Sequence, residues 1–78
     1  MNLSEVLFRR GDYDRARFYI RRVNSNPQLT GSQTLWLAAR IEQRLGNRSG
    51  SQEFGEQLRR RFPESREAAA FERGNFDE

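Results

Sequence analysis

The chain has 78 residues, 35% of them apolar, so it can build one small core that is marginal on its own. It contains neither cysteine nor histidine, which excludes disulfides, thiol nucleophiles, zinc–thiolate sites and the commonest general base and metal ligand. The net charge is +3 and all 14 basic residues are arginine, which raises the question of a nucleic-acid partner.

The first predicted helix runs from about Leu3 to Arg10, with Asn2 and Glu5 in capping-box spacing and Gly11 as its left-handed end. Asp12 is placed to cap a second helix, about Tyr13 to Asn24, whose apolar stripe is Ala16, Tyr19, Ile20 and Val23. Asn24-Ser25-Asn26-Pro27 reads as a loop. A third helix follows from about Ser32 to Leu45, with Thr30 and Gln33 as a second capping-box pair. Its stripe is Leu37, Ala38, Ile41 and Leu45, and Leu35 and Trp36 widen the apolar surface. Gly46-Asn47 ends it. The fourth helix is predicted from about Ser51 to Phe62, with Phe54, Leu58 and Phe62 on one face. Gly55 costs about 1 kcal/mol against alanine inside a helix, so close packing is expected there. Pro63 stops this helix. A short fifth helix, about Ser65 to Arg73, carries Ala68, Ala69 and Phe71 and meets a capping glycine at Gly74. The longest apolar run, Leu35 to Ala39, is far shorter than the roughly 20 residues that span a bilayer. No signal-peptide pattern is present.

The pattern occurs twice. Leu7, Gly11, Ile20 and Pro27 are answered by Ile41, Gly46, Phe54 and Pro63. A period of about 34 residues built from helix–turn–helix units is the signature of tetratricopeptide-type repeats. The expected fold is therefore all-α: a TPR-like α-solenoid of two antiparallel helix pairs plus a short C-terminal capping helix. Residues 1–27 form a first repeat truncated at its start, 28–63 a degenerate second repeat, and 64–78 the capping helix and tail. Such arrays usually need about three units, so the chain reads as a piece of a longer array, entered almost at once by a helix at Met1-Asn2-Leu3. Gly11-Asp12-Tyr13-Asp14-Arg15-Ala16-Arg17 resembles the heart of such a unit: the glycine turns, the tyrosine packs, and the small alanine lets the paired helices touch. The second copy, Asn47-Arg48-Ser49-Gly50, has no tyrosine, and its alanine position falls on Gly50 or Ser51.

A narrower resemblance covers most of the chain. Ala16-Arg17-Phe18-Tyr19, the run from Leu35 to Glu42, Leu45-Gly46-Asn47-Arg48 and the run from Phe54 to Ser65 occur in this order. Together they resemble the carboxy-terminal part of the type IV pilus biogenesis and stability lipoproteins, the PilF/PilW-type pilotins. The resemblance implies a TPR superhelix at the periplasmic face of the bacterial outer membrane, held there by an amino-terminal lipidated cysteine, and a role in secretin assembly. This chain has no cysteine, so only the scaffold role carries over.

The arginine clusters Arg9-Arg10, Arg21-Arg22 and Arg59-Arg60-Arg61 fall at predicted helix ends, where cations complement the helix dipole. Acids sit early, at Glu5, Asp12, Asp14, Glu53, Glu56, Glu64 and Glu67, so no nucleic-acid partner is expected. Trp36 is expected to pack between repeats. Gly11, Tyr13, Ala16, Ile20, Trp36, Leu37, Ile41, Gly46, Phe54, Leu58 and Pro63 make up the packing signature. If the first helix of each pair lines a concave face, the partner groove comprises Glu5, Phe8, Arg9, Leu35, Ala39, Glu42 and Gln43, with Leu35 and Ala39 as an off-stripe apolar patch. An opened array would also bare Leu3, Leu7 and Phe8, predicting self-association through the first helix. No nucleophile stands with a base and an orienting group, and no phosphate loop or metal cluster is legible, so neither an enzyme nor a cofactor is expected. A protein-interaction scaffold is, with a pilus secretin as its partner by resemblance. A TPR adaptor for some other protein is the alternative, and an arginine-rich nucleic-acid-binding domain a more distant one.

Overall fold

Apolar side chains three and four apart make one-sided helices, and four of this chain's helices follow that rule. A computed structural model describes residues 3–26 and 28–74, and among these every regular element is an α-helix. Helix α1 (Leu3–Arg9) buries Ser4, Leu7 and Phe8. Helix α2 (Tyr13–Asn24) buries Ala16 and Ile20. Helix α4 (Arg48–Arg61) buries Ser51, Gly55 and Leu58, and α5 (Arg66–Arg73) buries Ala68, Ala70 and Phe71. Ala69, expected in that stripe, is exposed.

Helix α3 (Ser32–Arg44) is the exception, because it buries an unbroken run from Leu35 to Ala39 together with Ile41 and Glu42. Five consecutive residues point to every side of a helix, so a turn buried throughout must be covered on several sides. Helix α3 packs against α2, α4 and α5. It divides the core into two clusters. The first joins Leu37, Ala38 and Ile41 to Leu7, Phe8, Ala16 and Ile20. The second joins Leu35, Trp36 and Ala39 to Leu58, Ala68, Ala70 and Phe71. Phe54 packs at the edge of both.

Two tight turns fold α1 onto α2 and α3 onto α4, and they are built alike. Gly11 and Gly46 have φ of 82° and 80°, a region other residues enter only at a cost. The Gly11 N–H donates to the Phe8 carbonyl (3.1 Å) and the Asp12 N–H to the Leu7 carbonyl (2.9 Å). The Gly46 N–H donates to the Gln43 carbonyl (3.2 Å) and the Asn47 N–H to the Glu42 carbonyl (2.9 Å). Both are Schellman closures. They fix the internal register at 35 residues, pairing Leu7 with Glu42, Gly11 with Gly46 and Ala16 with Ser51. Ala16 and Ser51 are 0% and 1% exposed, so of the two positions left open by the sequence, Ser51 is the small residue between the paired helices.

Several local expectations shift. Asp12 occupies the position before α2, but its side chain makes no cap bond; its carboxylate lies 3.6 Å from Arg15. The predicted Thr30–Gln33 pair does not cap α3. The cap residue is Gly31, whose N–H donates to Thr34 Oγ1 (2.8 Å), while the Thr30 hydroxyl turns back to the Asn26 carbonyl (3.0 Å). Helix α4 begins at Arg48, ahead of the predicted Ser51, because Asn47 Oδ1 accepts the Gly50 N–H (3.1 Å) and starts it earlier. Glu53 and Glu56 therefore lie mid-helix, and no acid stands in the first turn of α3 or α4. Arginines do occupy the last turn of every helix. Ser65 caps α5 by accepting the Ala68 N–H (3.0 Å), and Gly74 ends it at φ 70°. Asn2, the predicted partner of Glu5, lies outside the described residues, as do Met1, Pro27 and residues 75–78.

Gly55 has the close approach expected of it. A methyl group added there would overlap the Phe71 ring. Helix α5 is held to α4 by this contact, and Pro63 lies exposed in the connection between them.

Candidate interaction surface

The predicted groove residues divide into two groups. Glu5, Phe8 and Arg9 of α1 lie on one side of their helix. The 35-residue register sends them to Arg40, Gln43 and Arg44 of α3, and these positions are half-buried or exposed. Helices α1 and α3 meet here. The Arg40 guanidinium lies 4.7 Å above the Phe8 ring centroid and that of Arg44 lies 6.0 Å from it. The Phe8 ring packs at 5.4 Å from Tyr13 on its other flank. Arg9 pairs with Glu5 at 3.6 Å. The result is a Phe8 ring, 8% exposed, under the guanidiniums of Arg40 and Arg44, with the Arg9–Glu5 ion pair on the same helix. Such a face suits a segment with acidic and apolar side chains.

The other three predicted groove residues leave this face. Leu35 and Ala39 are both 0% exposed, sealed in the second cluster by α4 and α5. The off-stripe apolar patch is real, but this chain covers it itself. Glu42 is 1% exposed and also inward. Leu7 and Phe8, expected to be bared, are covered by α2 and α3, whereas Leu3 is 49% exposed.

Glu42 accepts three side-chain hydrogen bonds. Arg17 of α2 donates Nε to Oε2 (2.8 Å) and Nη2 to Oε1 (2.7 Å). Asn47 Nδ2 donates to the same Oε1 (2.8 Å) while its Oδ1 caps α4. Gly50 leaves room for this group: an added methyl would sit 2.6 Å from Asn47 Nδ2. The bidentate pair therefore ties the first hairpin to the second and to the turn that closes it. Nothing in the sequence joined Arg17 to Glu42 across 25 residues; the available signal was an acid directly following the apolar Ile41 of the core stripe.

The packing signature is mostly inside. Ala16, Ile20, Ile41 and Leu58 are fully buried, Trp36 and Leu37 are 6% exposed, and Tyr13 and Phe54 are half-buried at cluster edges. Trp36 also edges a shallow cleft between α3 and α5 with Arg66, Glu67, Ala70 and Arg73. Among the described residues, Ser51 Oγ and Asn24 Oδ1 are buried without a hydrogen-bond partner. No helix among the described residues is long and apolar enough to cross a membrane.

Comparison with known proteins gives no further lead: no family model matches the chain, and neither does any curated protein or solved structure.

Proposed function

We propose that this chain is a helical-repeat module that binds protein, presenting the face formed by Glu5, Phe8, Arg9, Arg40, Gln43 and Arg44. The observation that carries the reading is the pair of Schellman turns 35 residues apart, each closing a helix hairpin over a buried small residue. Units of this kind stack and offer extended surfaces rather than enclosed catalytic sites. The motif resemblance supplies the finer reading: the carboxy-terminal TPR part of an outer-membrane pilotin at the periplasmic face, with a type IV pilus secretin as partner. On this reading the module raises the local concentration of secretin segments at the membrane, and a lipid anchor outside these residues holds it there. Its work is binding, without catalysis or cofactor, and its partner is protein rather than nucleic acid.

The test is made in the source bacterium. With the gene deleted, heat-resistant secretin multimers in unboiled outer-membrane fractions are expected to vanish, and to return with the full-length gene. Multimers that persist alongside normal pili would remove the pilus role and leave a repeat module for a different protein partner.

A further inference from the structure

The fixed register lets each position of the first unit be compared with a counterpart whose surroundings are known. In the second unit, the side turned toward the first carries Ala38 and Ile41 of α3, both 0% exposed in the cluster that α2 fills with Ala16 and Ile20. Phe54 of α4 packs at its edge. Counting back 35 residues gives Leu3, Val6 and Tyr19. Leu3 is 49% exposed, Tyr19 38% exposed, and Val6 half-buried. Phe18 lies edge-on to Tyr19, with centroids 5.9 Å apart, and continues the apolar surface at 61% exposure. Two of the positions that receive a helix in the second unit, those matched by Leu3 and Tyr19, are thus apolar and exposed in the first, and the one matched by Val6 is half-buried.

We propose that this face of α1 and α2 is a docking site for one amphipathic helix of the α2 kind. The occupant presents a small residue and, four positions on, a branched apolar residue, as Ala16 and Ile20 do for α3. The inference rests on the repeat reading of the fold, and not on the pilus role. Two departures from the second unit set its selectivity. Where Glu42 receives Arg17, α1 carries the apolar Leu7. Leu7 is itself covered, 6% exposed in the first cluster, so an arginine at that place of a docking helix would find no carboxylate to receive it, and an apolar residue is favoured there. Where α3 has Leu45, α1 has the exposed Arg10, which favours an acidic side chain at that edge of the occupant.

The test extends the whole chain. Residues 1–35 are duplicated ahead of residue 1, so that the α2 of the added copy is delivered to the α1 of the original. The added copy carries Arg17→Leu. Thermal unfolding followed by circular dichroism is expected to show one cooperative transition, at a higher Tm than that of the 78-residue chain. Leu3→Glu in the original unit should lower that Tm by at least about 8 °C, yet move the Tm of the unextended chain by under about 3 °C. Restoring arginine at position 17 of the added copy should lower the Tm of the extended chain. Two separate transitions, or an equal effect of Leu3→Glu in both chains, would overturn the docking site. Equal stability with arginine and leucine at that position would overturn its selectivity. Secretin multimers report separately on the pilus reading, so either idea can fail while the other stands.

Discussion

At Gly55 and Ser51, four residues apart on the inner face of α4, the same substitution is expected to act with opposite sign. Alanine is the better helix former at both. At Gly55 the new methyl would meet the Phe71 ring, which belongs to the second cluster and has little room to move. We expect Gly55→Ala to cost about 1–3 kcal/mol despite its helix propensity. At Ser51 the hydroxyl is buried without a partner, and the equivalent residue in the first hairpin is already alanine. Ser51→Ala should therefore stabilise the fold by about 1 kcal/mol. Urea unfolding of the two variants checks both signs at once. The glycine was legible in the sequence as a sign of close packing, because a helix interior tolerates its cost only for a reason. Glu42 was not legible, since a carboxylate on a helix ordinarily faces water, and only the fold brings Arg17 and Asn47 to it.

At the scale of elements, equivalent positions need not do equivalent work. Asp12 and Asn47 stand at the same place in their hairpins, each just after a left-handed glycine. Asn47 accepts the Gly50 N–H and donates to Glu42, whereas the Asp12 side chain makes no cap bond. Asn47→Ala is accordingly expected to cost about 1–2 kcal/mol, and Asp12→Ala under about 0.5 kcal/mol. Chemical denaturation of the pair measures the difference. The glycines and apolar spacing revealed all five helices, and the bounds of α1, α2 and α3 fell within a residue or so of those observed. The start of α4 was hidden, because Arg48-Ser49-Gly50 looks like loop until Asn47 is known to cap it. The faces of α3 were hidden for a different reason. Periodicity identifies a core side only when the opposite side is polar, and α3 is covered by neighbours on several sides. That is why Leu35 and Ala39 read as open groove and prove to be core.

On the scale of the whole molecule, the second cluster depends on its last element. Helix α5 supplies Ala68, Ala70 and Phe71 to the pocket that seals Leu35, Trp36 and Ala39. A chain shortened to end at Pro63 should therefore expose apolar surface, bind a hydrophobic dye such as ANS and lose cooperative unfolding. Full retention of a sharp transition would show that the first cluster suffices. The central proposal is that the open face of α1 and α3 binds a protein, and for the pilus reading that protein is the secretin. The most direct test reintroduces the full-length gene with Arg40→Glu and Arg44→Glu, after circular dichroism has shown the fold intact, and compares it with charge reversal at exposed Arg60 and Arg61 on α4. We predict that heat-resistant secretin multimers are lost with the first pair and kept with the second. Multimers that survive the first pair, at normal protein level, would contradict the assignment of this face.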